Sequence, residues 1–245
     1  MGKTVLGFRN IHLRKEDNRK KLMGLIQEAK LTVCGVVETW LKKKENLMES
    51  LLEGSEFIWL GKHRIGREGG GIGFVVSRRV KPKLAKVSKS ENLVWVEFQT
   101  DRRWFCGLVY LVPKDREEVN EKTMQEVQWD VLDFRYKGEV LLVGDFNARV
   151  GELSNEVDEE TIVRKSMDKV TNTQGRALMK EMNAVGLVLM NGVSEVAKFT
   201  SHQRAGSSVI DMVWATASSR ELISNLRVWD DVGVSMELAV SIIAW

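Results

Sequence analysis

Val140-Leu141-Leu142-Val143-Gly144-Asp145-Phe146-Asn147-Ala148 places four consecutive apolar residues before a glycine, then an Asp and an Asn two positions apart. An apolar run without alternation describes a short strand buried on both faces. If the chain stays extended, Asp145 and Asn147 point to one side and Phe146 to the other. A carboxylate beside a carboxamide at a strand mouth can hold a metal ion, orient water and bind a phosphate oxygen. The same residues also make an Asx-rich turn that merely ends a strand. The segment alone leaves both readings open, a hydrolytic site or a terminating turn.

Outward from this strand, helices and strands alternate along the whole chain. Residues 17–30 predict a helix, with Leu22, Leu25, Ile26 and Ala29 at helical spacing. Helices are also expected over Lys44–Leu52, Glu117–Phe134 and Gln174–Ala184. Strands are expected over Val5–Phe8, Leu31–Val37, Phe57–Leu60, Phe74–Val76, Leu93–Gln99, Trp104–Tyr110, Leu187–Met190, Val209–Trp214, Leu226–Trp229 and Leu238–Ala244. Strands outnumber helices and several follow one another directly, which excludes a simple Rossmann alternation. Such a pattern suits two packed sheets with helices outside. No domain boundary interrupts residues 1–245, and Gly151–Thr173 is expected to be a long surface loop.

A composition of 43% hydrophobic and 29% charged residues supplies a substantial core, and two prolines argue against Pro-rich linkers. No apolar stretch is long enough to span a bilayer, and the first residues lack the apolar run of a signal peptide. Gly2 is not followed by Ser or Thr at position 6, so myristoylation is not expected. Cys34 and Cys106 lie in apolar runs and read as reduced core thiols of an intracellular protein. The net charge of +3 conceals an asymmetry. Residues 1–103 carry 22 Lys and Arg against 12 Asp and Glu, and residues 104–245 carry 15 against 22. The basic half is suited to facing a polyanion.

Polar residues end several of the expected strands. Asn10 follows Val5–Phe8, Glu38 ends Leu31–Val37, and Tyr110 ends Trp104–Val109. Asp145 and Asn147 end Val140–Val143, and Asp211 lies within Val209–Trp214. So many along one chain point to a polar site where strand ends converge. The glycines of Gly69-Gly70-Gly71-Ile72-Gly73 precede a strand, and no Gly-Lys-Ser/Thr follows, so they read as structural and not as a phosphate-binding loop.

Six segments together resemble the endonuclease/exonuclease/phosphatase superfamily, and most of all the endonuclease domain of non-LTR retrotransposons. They are Arg9-Asn10-Ile11, Val37-Glu38-Thr39-Trp40, the Gly69–Gly73 run, Val109-Tyr110-Leu111-Val112-Pro113, Gly144-Asp145-Phe146-Asn147-Ala148 and Ser207-Ser208-Val209-Ile210-Asp211. The resemblance implies a deoxyribonuclease I-like four-layer α/β sandwich, two mixed sheets face to face with helices outside. It implies Glu38 and Asn10 as the site of Mg²⁺ or Mn²⁺, polarising a scissile phosphate. Asp145 would take part in proton transfer, Asn147 and Tyr110 would hydrogen-bond phosphate oxygens, and Asp211 would orient its neighbours. Arg204, Ser208 and Ser235 would lie against DNA.

The family's closing Ser-Asp-His is broken here, where Ser235 is kept but Met236 and Glu237 follow it. The histidines of the chain, His12, His63 and His202, all lie far from this position in sequence. An imidazolium donates to a phosphate oxygen, whereas a carboxylate only accepts and repels it. Losing one positioned electrostatic group costs about 10² to 10³ in rate. The expected function is therefore a metal-dependent phosphodiesterase scaffold with impaired or absent catalysis. Alternatives are a non-catalytic domain that retains DNA or partner binding, and a phosphatase of the same superfamily. The resemblance further implies a nuclear, monomeric protein whose longer parent carries a reverse transcriptase.

Overall fold

The computed structural model describes residues 4–42, 46–62, 70–113, 117–204, 206–229 and 237–242; for Ser224, Asn225, Trp229 and 237–242 it describes the backbone alone. In chain order the elements are β1 (Thr4–Asn10), α1 (Glu16–Glu28), β2 (Val33–Val37), α2 (Leu47–Leu51), β3 (Phe57–Lys62) and β4 (Ile72–Ser77). There follow β5 (Lys83–Lys86), β6 (Leu93–Gln99), β7 (Arg103–Tyr110), α3 (Glu117–Phe134) and β8 (Glu139–Asp145). The remainder comprises β9 (Asn155–Val157), β10 (Glu160–Ile162), α4 (Thr173–Ala184), β11 (Leu187–Leu189), β12 (Ser201–Gln203), β13 (Gly206–Ser208), β14 (Asp211–Thr216), α5 (Ala217–Arg220), β15 (Ile223–Trp229) and β16 (Glu237–Ile242).

Two six-stranded mixed sheets form, ordered β15-β16-β1-β2-β4-β3 and β11-β14-β8-β7-β6-β5. Within them β1 runs parallel to β2 and β7 parallel to β8. The unbroken apolar runs are explained by what lies on each side. In β8, Leu141 and Val143 join the core between the sheets, packed with Phe8, Val37, Phe74 and Leu108. Val140 and Leu142 turn outward into a second core with Val127 and Val131 of α3 and Leu178 and Met182 of α4. The other sheet buries its outer face, Cys34, Val36 and Val75, against Leu22 and Ile26 of α1 and Met48 of α2. The result is the four-layer sandwich with helices outside. Burying each large side chain of these layers contributes about 1.5–3 kcal/mol. Cys34 and Cys106 are buried thiols that lie in different core clusters and form no disulfide with one another.

The expected helix at Glu117–Phe134 and strand at Leu93–Gln99 keep their limits. Several other expectations change. The second helix is shorter, and Lys44, where it was expected to start, lies outside the described residues. The strand expected from Val209 begins only at Asp211. The N–H of Val209 is taken by Asp168 and that of Ile210 by the Thr200 hydroxyl, while the Ile210 carbonyl still accepts the Phe146 N–H just beyond β8. Residues 151–173 are not a plain surface loop. They carry the β9–β10 hairpin and bury Asn155, Arg164, Ser166 and Asp168. Arg164 donates to the carbonyls of Asn191 and Leu153 at 2.6 and 2.9 Å, which folds the segment onto the loop after β11. A polar sequence can be packed when its side chains satisfy backbone groups, and hydropathy does not register that.

Candidate active site

The C-terminal end of β8 enters a confined space. A Cβ on Gly144 would stand 1.9 Å from the carbonyl oxygen of Val109, so only glycine lets β8 lie this close to β7. The next residue, Asp145, is the register partner of Tyr110 in β7 on one side and of Asp211 in β14 on the other. Tyr110 belongs to the core between the sheets, as do Val143 and Val213, two positions before Asp145 and after Asp211. The period-2 pleat therefore aims Asp145 and Asp211 into the same space, towards the opposing sheet.

There Asp145 meets Asn10, the last residue of β1, whose side chain hydrogen-bonds to its carboxyl group. Glu38 follows β2 and arrives by a different route. Val36 packs on the outer face of its sheet and Val37 on the inner face, so a continued strand would send Glu38 outward. Glu38 instead has a left-handed φ of 55°, which swings it back within electrostatic range of Asp145. Its Oε2 accepts the N–H of Gly70 at 3.1 Å. Gly70 and Gly71 also hold Trp40 and Thr39 through their carbonyls, at 2.7 and 3.1 Å. A Cβ on Gly71 would stand 2.4 Å from the Thr39 hydroxyl. Gly69 lies outside the described residues; Gly70 and Gly71 are structural as expected, and what they structure is the Glu38 turn.

Asp145 and Asn147 do come together, but not by pleating. The strand ends at Asp145, and Asn147 has a left-handed φ of 45°. The Asn147 N–H donates to Asp145 Oδ1 at 3.0 Å, an Asx turn. Its side-chain amide donates to the Leu111 carbonyl at 2.8 Å, which anchors it beside Tyr110. The terminating turn and the convergent polar site are thus one structure.

Burial pushes the Asp145 carboxyl up to about 7, with the Asn147 N–H and the Asn10 amide pulling it down and the charge of Glu38 pushing it up. Burial also raises Asp211 well above the usual carboxylate range, reinforced by Asp145 and opposed by the Thr200 hydroxyl. Among the described residues no three His, Cys, Asp or Glu gather as a metal cage. A small hard cation needs less. Mg²⁺ is held by one or two carboxylates, an amide oxygen and retained waters. Asn10, Glu38 and Asp145 provide oxygen donors of that kind, and the repulsion between the two carboxylates is what a cation would relieve.

Arg204 is exposed at the turn of the β12–β13 hairpin, and Ser208 lies at its base, pairing with Ser201. His202 is also exposed on this hairpin, its Nδ1 hydrogen-bonded to the Ser207 hydroxyl at 2.6 Å. Ser235, Met236 and His63 lie outside the described residues. The backbone of Glu237 opens β16, opposite Trp229 and one residue before Leu238, the partner of Phe8. Position 237 therefore sits at the Asn10 end of the sheet.

Three residues of the site escaped the sequence reading. Thr200 accepts the N–H groups of Ile210 and Asp211 at 3.1 and 3.0 Å. Asp168 holds Arg149 and the Val209 N–H, bracing the strand that carries Asp211. Asn191 donates to the Asp211 carbonyl at 3.1 Å and accepts from Val213 at 2.8 Å. Asn191 follows the apolar run Leu187–Met190, so the strand-end criterion selects it as readily as the others. Thr200 and Asp168 carry no such signal.

A family model described as endonuclease-reverse transcriptase matches residues 105–235. No curated protein matches the chain. Among solved structures, the endonuclease domain of TRAS1, a telomere-specific non-LTR retrotransposon, aligns over 98% of both chains at 15% identity and a TM-score of 0.72. The 3'-5' exonuclease NExo from Neisseria meningitidis aligns over 98% of this chain and 99% of its own at 13% identity and a TM-score of 0.70. The AP endonuclease LMAP from Leishmania major aligns over 98% and 87% at 10% identity and a TM-score of 0.76. At such identities the likeness is one of fold.

Proposed function

The chain belongs to the endonuclease-reverse transcriptase family, and on that premise we propose that it is a metal-dependent phosphodiesterase scaffold of the retrotransposon DNA-endonuclease type, with hydrolysis severely reduced or absent. The observation that carries the nuclease reading is the meeting of Asn10 and Asp145 from opposite sheets, within electrostatic range of Glu38. Glu38 and the Asn10 amide oxygen would hold Mg²⁺ or Mn²⁺, which supplies charge stabilisation at a phosphate when bound. Asp145, with a carboxyl near 7, is suited to hold or move a proton at an attacking water near neutral pH. Tyr110 and Asn147 would position phosphate oxygens, and Asp211 would orient Asp145. The exposed hairpin with Arg204 and Ser208 would contact the DNA backbone, and Ser235 would face the same substrate.

The impairment rests on Met236 and Glu237. Neither side chain can donate a hydrogen bond to a phosphate at neutral pH, and Glu237 adds a negative charge at the Asn10 end of the sheet. A second reading, a domain that binds DNA without cutting it, draws on the same two residues and on the basic first half. Nicking of supercoiled plasmid with Mg²⁺ or Mn²⁺ tests the proposal. Activity no greater than that of Asp145→Ala is expected, and metal-dependent nicking abolished by Asp145→Ala would overturn the impaired reading. A steep loss of DNA binding with salt is expected for a scaffold that retains phosphate contacts.

A further inference from the structure

Beyond Asn10 and Glu38 the two chain segments continue side by side. Ile11 donates to the Val37 carbonyl at 3.1 Å and Leu13 to that of Thr39 at 2.9 Å. This extension sets the ring of His12 against that of Trp40, with centroids 4.8 Å apart and planes inclined at 36°. His12 lies two residues past Asn10, and Trp40 two residues past Glu38. The aromatic pair therefore borders the carboxylates, and His12 feels the charge of Glu38.

Three features mark the pair. Trp40 leaves 37% of its surface exposed, although it is among the largest apolar side chains of the protein. Its φ of 58° is left-handed, a conformation that bulky side chains rarely adopt. Such outliers persist where the surrounding structure enforces them, and here the Gly70 carbonyl does so through the Trp40 N–H. His12 has its Nε2 covered and without a hydrogen-bond partner, and its ring packs against Trp40. Arg14 and Lys15 are exposed and close enough to act on His12, and exposed Lys42 lies two residues past Trp40 in sequence. An exposed aromatic surface rimmed by cations beside a phosphate site has the chemistry of a nucleotide: a flat base with a phosphate on either side.

We propose that His12 and Trp40 form a shelf on which a nucleobase flanking the bound phosphate stacks. The proposal rests on the phosphodiesterase reading of the Asn10, Glu38 and Asp145 site, and adds an unpaired or unstacked base to what that site takes. Stacking is indifferent to base identity, so the shelf fixes distance from the phosphate and not sequence.

The test is equilibrium binding of a fluorescent single-stranded oligonucleotide at low salt, with and without an abasic residue moved along the strand. Trp40→Ala is expected to weaken binding of the intact strand about tenfold, and Trp40→Phe less than about threefold. Trp40→Leu keeps an apolar side chain without the π face, so it should behave like Trp40→Ala. One abasic position should weaken the wild type but leave Trp40→Ala unchanged. Equal affinity of wild type and a folded Trp40→Leu overturns the shelf and leaves the phosphodiesterase reading standing. Failure of the wild type to bind any oligonucleotide overturns both.

Discussion

Asp145→Asn should change how stability depends on pH in metal-free protein. The Asp145 carboxyl is pushed up to about 7, against 3.8 for the unperturbed group, mainly by burial. Between these values the native state holds a proton that the unfolded chain has released. The Asp145 contribution is therefore fully present below pH ~4, and stability falls by about 1.4 kcal/mol per pH unit as pH rises towards 7. Over the whole window this amounts to about 4 kcal/mol at most. Asp211 is raised in the same direction, partly by the Asp145 charge, and so steepens the fall. Asparagine keeps an oxygen for the Asn147 N–H but cannot ionise, and it removes the push on Asp211. Guanidinium denaturation in EDTA at half-unit steps from pH 4 to 8 should show wild type losing several kcal/mol, and Asp145→Asn a shallower loss, since burial alone still raises Asp211. Adding a divalent cation at pH 8 should restore about 2.7 kcal/mol to wild type at a hundred times its Kd. A metal-free wild type whose stability is flat over this range would refute the burial argument, as would a variant with the full slope.

Replacing Met236 with Asp and Glu237 with His together should raise metal-dependent plasmid nicking about 10²-fold or more over the native chain, measured as initial rates. An unchanged rate would place the defect elsewhere. Asp168→Ala should cost about 3 kcal/mol in chemical denaturation, because it strands Arg149 and the Val209 N–H that Asp168 accepts. A loss below about 1 kcal/mol would mean that residues 151–173 do not brace the site. Gly144→Ala should destabilise by about 3 kcal/mol or more, since its Cβ would meet the Val109 carbonyl at 1.9 Å. A soluble variant of native stability would show that β7 and β8 can part at this point.

The ends of β8 show how sequence and tertiary structure divided the work. Val140–Val143 is apolar at every position because α3 and α4 cover one face and the opposing sheet the other. Continuous burial of this kind leaves a direct mark on composition, so strand, layer order and the polar strand ends Asn10, Tyr110 and Asp145 could be read from residues alone. Asn191 carried the same mark. Period-2 alternation, however, does not describe the two turns that complete the site. Glu38 would face outward and Asn147 would lie on the pleat had neither adopted a left-handed φ. Glu38 is held from a distance, by Gly70, with Gly71 holding the neighbouring Thr39, whereas Asn147 is held locally by the Asx turn to Asp145 and from a distance only by Leu111. The polar segment 151–173 looked like a loop because hydropathy does not register a buried Arg164 whose Nε and Nη1 donate to backbone carbonyls. What the sequence determined by itself was everything fixed by local periodicity and by residue type at a strand end: the layers, the family and the chemical inventory of the site. Only the tertiary structure decided that Asp145 stands between Tyr110 and Asp211 and faces Asn10 from the other sheet, because register and sheet-to-sheet facing arise from contacts between residues far apart in the chain.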